Sequence, residues 1–166
     1  MSTLKVQEIQ HTGGTTGLTM DSTGRILTPA RPSFYVNGSG GWIDHGDSVV
    51  TYFKTSNQAV STKFNVGSHY DASTGQFTVP ISGLYHFDCV LYCNDTGDAA
   101  TYANLFKNGS ALHGNFHYYN NADTAYPDNT LAFSVTAELS ASDYLEIKVV
   151  QDMYGNHSYW CGYLVG

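Results

Sequence analysis

Residues 83–93, GLYHFDCVLYC, constrain the fold more than any other stretch, because their side-chain character alternates with a period of two. Five apolar, aromatic or thiol side chains fall on one side of an extended chain: Tyr85, Phe87, Cys89, Leu91 and Cys93. The other side is mixed and carries Leu84, His86, Asp88, Val90 and Tyr92. Such alternation predicts a strand with one side in a core and the other facing solvent or a second subunit.

Similar patterns predict an all-β chain. Residues 131–139 and 145–150 also alternate, and shorter strands are predicted at residues 33–36, 48–53, 76–79, 102–107, 111–118 and 159–165. Asn108 and Gly109 form a dipeptide that is typical of a tight hairpin turn. No stretch of the sequence shows apolar residues at the three- and four-residue spacing of an amphipathic helix. We therefore expect eight to ten short strands in an antiparallel sandwich or jelly roll.

Residues 1–30 have a different character from the rest of the chain. They are rich in glycine, serine and threonine, and their few apolar residues occur in small, separate groups, so they cannot bury a core alone. The stretch 11–26, HTGGTTGLTMDSTGRI, lacks the lysine and the following helix that a phosphate-binding loop needs. Its glycines are interpreted as turn residues. The segment is either a disordered tail or a piece that orders beside its own copies or a neighbour.

Length and charge exclude several classes of function. With 166 residues, the chain suits one compact domain with a short extension. Its net charge is −7 and its cations are scattered singly, so nucleic acids and anionic membranes are not expected partners. No apolar run of 18 residues occurs and the first residues lack an apolar core, so we expect neither a membrane span nor a signal peptide. We expect synthesis in a cytoplasm.

Cysteine, metal and catalytic patterns are weak. Cys89 and Cys93 lie about 13 Å apart along one predicted strand, too far to bridge, and reduced thiols are expected. His113 and His117 lack the helical context of a zinc motif, and Asp95 and Asp98 are only weak calcium candidates. No nucleophile motif is present, and paired carboxylates cannot be judged from spacing alone. We predict no enzyme and no cofactor.

Two stretches favour binding. Residues 112–129 and 151–157 concentrate tyrosine, asparagine, glycine and histidine, the residue types of antibody loops and of sites that stack on sugars. They are either receptor-contacting segments or merely solvated loops. The candidate receptor-binding residues are Tyr118, Tyr119, Asn120, Asn121, Tyr126, Tyr154 and His157.

Four stretches carry a resemblance to a known family. Residues 70–87, YDASTGQFTVPISGLYHF, resemble the most diagnostic run of the C1q-like globular domain, a relative of the tumour-necrosis-factor jelly roll. Residues 105–109 resemble the family's strand ending in Asn-Gly, residues 139–145 its Leu-x-x-Gly-Asp-x-Val element, and residues 160–165 its closing strand. The resemblance spans residues 31–165. Ser142 stands where the family usually has glycine, so this turn departs from the family pattern.

The resemblance implies a ten-strand jelly roll and a threefold homotrimer. Trimer contact would explain the apolar residues on the second side of residues 83–93. The candidate interface residues are Tyr35, Trp42, Leu84, Val90, Tyr92, Trp160 and Tyr163. For Tyr35, Trp42, Trp160 and Tyr163, ordinary core positions are an equal alternative. We expect a head at residues 31–166 and an attachment or trimerisation segment at residues 1–30.

A second resemblance concerns the first residues. Residues 4–9, 11–18 and 21–26 resemble a leader in tail-fibre and other structural proteins of marine bacteriophages, cyanophages in particular. The combination implies a virion protein whose trimeric head adheres to a host surface glycan or protein and whose N-terminal segment binds other virion proteins. The alternatives are a knob that decorates a capsid or connects fibres and binds only virion proteins, and a polysaccharide depolymerase.

Overall fold

The computed structural model describes residues 6–14, 16–43, 48–94, 101–112, 116–118, 128–150 and 152–166. All strand pairs in the described part of the chain are antiparallel, and it contains no helix. In chain order the strands are β1 (Glu8–Gln10), β2 (Thr16–Met20), β3 (Ile26–Leu27), β4 (Ser33–Gly38), β5 (Trp42–Ile43), β6 (Val50–Thr51), β7 (Val60–Val66), β8 (Tyr70–Asp71), β9 (Gln76–Thr78), β10 (Gly83–Asn94), β11 (Thr101–Lys107), β12 (Ser110–Ala111), β13 (Phe116–Tyr118), β14 (Asp128–Leu139), β15 (Tyr144–Val150) and β16 (Asp152–Leu164).

Two sheets after residue 32 form a jelly-roll-like sandwich. The first sheet has the order β14-β10-β16-β4-β7, with β5 beside β16. The second has the order β12-β11-β15-β9-β8, with β13 beside β11 and β6 beside β15. Since most of these neighbours are distant in sequence, the sheets are held by long-range pairing. The all-β prediction is confirmed, but the expected count of ten strands is not, because several described strands have only two residues.

The core lies between the two sheets and is rich in aromatic rings. Phe34 from β4 stacks on Phe77 from β9 at 4.8 Å and meets Trp160 from β16 edge-on at 4.7 Å between ring centroids. Phe87 from β10 lies 5.9 Å from Phe77. Gly162 makes room for this packing, because a Cβ there would lie 2.6 Å from Cε1 of Phe87. Offset and edge-on aromatic contacts add to the free energy gained by burying the rings.

The long strand predicted from alternation is confirmed. Tyr85, Phe87, Cys89, Leu91 and Cys93 are buried, while the alternate residues from 84 to 92 are exposed or half-buried. The predicted turn at Asn108 and Gly109 is also confirmed, since both have positive φ and join β11 to β12. All three cysteines are free, as expected.

Other predicted strands differ from the structure. The last strand begins at Asp152, seven residues earlier than expected, because β5 and β10 flank and pair with its first part. The strand predicted at residues 48–53 is only Val50–Thr51, and the one at 111–118 is divided between β12 and β13. β7 was not predicted at all. It lies at an edge of the first sheet, and Val60 to Val66 alternate only weakly in hydrophobicity.

Residues 6–27 form a small three-stranded sheet, β1-β2-β3. Gly14 and Gly24 have φ of 85° and 83°, so the turn role predicted for glycines in this segment is confirmed at these two positions. Hydrogen bonds from the Arg25 backbone N–H, then the Thr23 hydroxyl and the Arg25 guanidinium, lower the pKa of the Asp21 carboxyl to about 2. A strand-loop-helix phosphate site is not formed here.

Candidate association face and distal ring cluster

The side of the first sheet that points away from the core is here called the outward face. Pairing places its residues in rows that cross the strands. One row contains Ala132, Val90 and Tyr159, and the next contains Ser134, Asp88, Cys161, Tyr35 and Phe64. A third row contains Thr136, His86 and Tyr163. The outward face therefore combines residues from β4, β7, β10, β14 and β16.

Large apolar and aromatic side chains are exposed on the outward face. Phe64 is 49% exposed, Tyr163 is 43% exposed and Leu84 is 40% exposed. Tyr35 stacks on Phe64 at 6.1 Å and on Tyr159 at 5.5 Å between ring centroids, so three rings form one continuous strip. Contiguous exposed apolar surface of this kind marks an association site more often than a solvated surface.

Polar groups on the same face are paired with each other. His86 Nδ1 lies 2.8 Å from Thr136 Oγ1, and its Nε2 lies 3.2 Å from both Ser134 Oγ and Asp88 Oδ2. Beside them, burial raises the pKa of the half-buried Cys161 thiol, and the nearby carboxylate of Asp88 raises it further. This thiol is therefore protonated at neutral pH. The face presents paired polar groups within apolar surroundings, as subunit interfaces commonly do.

The two ends of the first sheet differ in what they carry. At one end, which we call proximal, Ser33 pairs with Tyr163 and the Leu84 N–H donates to the Gly166 carbonyl at 2.9 Å. Residues 6–32 therefore enter the sheet at the proximal end. At the other end, which we call distal, Tyr92 pairs with Tyr154. The nine-residue step along β10 from Gly83 to Tyr92 corresponds to about 30 Å.

Four rings meet at the distal end and are here called the distal ring cluster: Trp42, Tyr92, Tyr154 and His157. The Trp42 ring lies 5.1 Å from Tyr154 and 5.7 Å from Tyr92. His157 stacks on Tyr154 at 4.9 Å, with 24° between the ring planes, and lies 5.3 Å from Tyr92. Trp42 is 42% exposed and His157 is also exposed. The cluster is therefore a partly solvent-facing aromatic surface.

Buried and backbone hydrogen bonds hold this cluster in place. Ser158 Oγ, which is buried, donates to the Tyr154 carbonyl at 2.8 Å and accepts from the Tyr92 N–H at 3.1 Å. The loop before Trp42 is fixed by Asn156, whose Oδ1 accepts from the Gly40 N–H at 2.9 Å. A further hydrogen bond joins the Gly155 N–H to the Gly41 carbonyl at 3.1 Å. The four rings thus lie on a hydrogen-bonded support.

The predicted interface residues fall into two groups. Six of them lie on the outward face or in the distal ring cluster: Tyr35, Trp42, Leu84, Val90, Tyr92 and Tyr163. Trp160 is a correction, because it is fully buried between the sheets and its side chain cannot contact a partner. Sequence patterns had left a core position open for this residue, and the structure places it there.

The predicted receptor-binding residues are only partly described. Tyr154 and His157 lie in the distal ring cluster. Tyr118 ends β13, where its backbone pairs with Thr101. The candidates Tyr119, Asn120, Asn121 and Tyr126 lie outside the described residues. What sequence reasoning missed is that Trp42 and Tyr92, assigned to an interface, meet Tyr154 and His157, assigned to a receptor site. Only the pairing register of the strands, which places Tyr154 opposite both Tyr92 and Trp42, shows that these residues meet.

The weak metal candidates are not tested. Asp95, Asp98 and His113 lie outside the described residues, as does the side chain of His117. Within the described ranges, no three acidic, histidine or cysteine side chains are grouped as metal ligands. None of the secondary structure described here is a helix long and apolar enough to cross a membrane.

The chain is similar to a known protein family and to a curated protein. Residues 45–165 match the family model described as the C1q domain. The mouse protein named "Complement C1q tumor necrosis factor-related protein 3" is 24% identical over 125 residues, which cover 71% of this chain and 49% of that protein. The chain therefore spans about half the length of this curated relative.

Solved structures of low sequence identity share the fold. The globular domain of zebrafish complement 1qA is 15% identical, with a TM-score of 0.60 and coverage of 81% of this chain and 98% of that chain. Murine APRIL at pH 8.5 is 10% identical, with a TM-score of 0.58 and coverage of 81% and 99%. Eiger TNF from S. frugiperda is 13% identical, with a TM-score of 0.56 and coverage of 82% and 94%.

Proposed function

The chain belongs to the C1q domain family, and from this premise we propose that it is a homotrimeric adhesion head of a bacteriophage virion. Domains of the C1q and tumour-necrosis-factor type are typically trimeric ligands or binding modules. The head forms the tip of a tail fibre or appendage and binds a glycan or protein on the host surface. It acts by multivalent non-covalent binding rather than by catalysis, because three weak sites gain avidity through effective concentration.

The single observation that carries the proposal is the uncovered outward face. Its strip of Tyr35, Phe64 and Tyr159 rings and the exposed Leu84 and Tyr163 leave contiguous apolar surface in water when the chain is alone. A second copy that covers this surface would remove the unfavourable hydration. The same surface on every copy supports self-association, and the homotrimers of C1q and tumour-necrosis-factor domains support a threefold arrangement.

The polarity of the sheet supports adhesion. Residues 6–32 enter at the proximal end, whereas the distal ring cluster lies about 30 Å away along β10. The end of β10 and the starts of β14 and β16 are also distal, since Asn94 pairs with both Asp128 and Asp152. A particle attached through the N-terminal segment would present this end to a host cell.

The N-terminal sheet supports attachment to a larger assembly. Ile9, Leu18, Met20 and Ile26 share one side of β1, β2 and β3, and they are 57%, 36%, 45% and 67% exposed. Neighbouring apolar side chains exposed on one side of a sheet mark an association surface. We assign that side to contact with copies of the same segment or with another virion protein. The resemblance of this segment to marine phage leaders supports the virion setting.

Cell binding tests the function. Fluorescently labelled full-length protein is incubated with a panel of marine cyanobacterial strains, and retained fluorescence is measured after washing. Adhesion predicts saturable retention on susceptible strains that excess unlabelled protein displaces. Retention on none of them would refute adhesion and favour a knob that binds only virion proteins. Release of reducing sugar from host polysaccharide would instead indicate a depolymerase.

A further inference from the structure

The distal ring cluster has an exposure that core packing does not explain. Trp42 keeps 42% of its surface in water although burial of a tryptophan is strongly favourable, and among the described residues its ring contacts are with Tyr92 and Tyr154. Tyr154 and His157 stack nearly parallel beside it. The Trp42 ring is inclined by 33° to Tyr92 and by 63° to Tyr154, so these rings flank the exposed indole at an angle. An exposed indole with aromatic neighbours suits a flat, partly apolar ligand. The C–H face of a pyranose ring has this shape and polarity.

The backbone that carries the rings is held in place before a ligand arrives. Ser158 ties the backbones of Tyr92 and Tyr154, and Asn156 holds the loop that leads to Trp42. Rings that pack against one another on a held backbone lose little conformational entropy on binding, so even modest stacking energy becomes useful affinity. The same residues carry two phenolic hydroxyls and an imidazole, which can exchange hydrogen bonds with sugar hydroxyls.

Charge selects the kind of sugar. The cluster contains no lysine or arginine, and the whole chain has a net charge of −7. Two of the described lysines are occupied elsewhere, since Lys107 pairs with Asp143 and Lys148 pairs with Glu146. Sulfated or sialylated sugars would meet an unfavourable field at this surface.

From these observations we propose that Trp42, Tyr92, Tyr154 and His157 form a binding site for a pyranose ring of a neutral surface polysaccharide. The inference rests on the proposed adhesion function and names its ligand class. One such site lies at the distal end of each chain, so a trimer presents three of them to the host surface. Each site binds weakly, and the three together supply the avidity.

Intrinsic fluorescence tests the site directly. The chain has two tryptophans, and only Trp42 is solvent-accessible, because Trp160 is fully buried. Cellotetraose, maltotetraose and chitotetraose are titrated into the full-length protein to about 20 mM, with sialyllactose as the acidic comparison. We expect a saturable change in emission with at least one neutral oligosaccharide, little dependence on salt, and no comparable change with sialyllactose.

Matched variants locate the site. Tyr154→Ala is expected to weaken oligosaccharide binding, measured by calorimetry, by about tenfold or more, because it removes a central stacking ring. Phe106→Ala removes a half-buried aromatic side chain on β11 of the second sheet, outside both the outward face and the cluster, and is expected to leave that affinity unchanged. Sedimentation of Trp42→Ala and Tyr154→Ala then separates a ligand site from a subunit contact, and both are expected to keep the wild-type mass.

Three results would overturn the sugar site. The first is no emission change with any neutral oligosaccharide. The second is an equal loss of affinity in Tyr154→Ala and Phe106→Ala, and the third is a mass that falls to one chain in either cluster variant. If the protein still adheres to cells after such a result, the adhesion function stands and only the sugar site is wrong. If the wild-type protein fails to adhere to cells, the adhesion function itself fails.

Discussion

Placing a negative charge at Val90 should separate the subunits. Val90 is half-buried in the middle of the outward face, directly between Ala132 on β14 and Tyr159 on β16. Asp88 lies two residues away on the same side of β10, so Val90→Glu adds a carboxylate near an existing one. Val90→Gln has the same length without the charge. Val49→Glu is the matched control, because Val49 is 51% exposed beside β6 of the other sheet.

The size of the effect follows from the number of copies. Burying an unpaired carboxylate in an interface costs several kcal/mol, and a low figure of about 2 kcal/mol for each protomer already gives about 6 kcal/mol for a trimer. That free energy corresponds to about four powers of ten in the association constant of three chains. Because trimer formation depends on the square of the concentration at its midpoint, the midpoint should rise about a hundredfold.

Light scattering after size-exclusion chromatography measures this shift over a concentration series. Val90→Glu should give the mass of one chain at concentrations where the wild type and Val49→Glu remain trimeric, and Val90→Gln should lie between them. Circular dichroism should show the same strand content in all four proteins. A folded Val90→Glu protein with the wild-type mass at every concentration would contradict an association role for the outward face.

Three further predictions concern the fold. Ser142 occupies a position with φ of 73°, so Ser142→Gly should raise the free energy of unfolding by about 0.5–1 kcal/mol in urea denaturation, and no gain would show that the turn is unstrained. The Ser140 N–H, then the Asn108 amide and Lys107, lower the pKa of Asp143. Stability from this carboxylate is therefore present above its ordinary pKa and is lost as the pH falls through the lowered pKa. Asp143→Asn should lower the free energy of unfolding by about 1.5 kcal/mol at neutral pH and make stability depend less on pH in the acid range. An unchanged dependence of stability on acid pH would refute this. Gly162→Ala should cost about 3 kcal/mol or more because its Cβ would meet Phe87, whereas a loss below about 1 kcal/mol would mean that the ring moves aside.

Much of the fold could be predicted because one-sided burial leaves a period of two in the sequence. The buried side of β10 is visible from Tyr85 to Cys93, and β14 and β15 show similar patterns. β7 escaped prediction because Phe64 faces outward and the strand lies at an edge, so burial gives little contrast between its two sides. The first part of β16 looked like a loop because Gly155 and Asn156 are turn formers. Pairing with β10 and β5 overrides that local preference.

The candidate site could be predicted only in pieces. Residue types identified Tyr154 and His157 as binding residues and Trp42 and Tyr92 as interface residues. Their meeting depends on the pairing of Tyr154 with both Tyr92 and Trp42, which are distant in the chain. Glycine at position 142 in the family pattern is typical of a positive φ, and Ser142 has a φ of 73°.

Sedimentation equilibrium of the full-length wild-type protein tests the homotrimer most directly. The outward face predicts a single species with three times the chain mass of 18.1 kDa at micromolar concentration, with a midpoint that Val90→Glu raises. A single species of 18.1 kDa across the concentration series would contradict the proposal, because the outward face would then be stable in water without a partner copy.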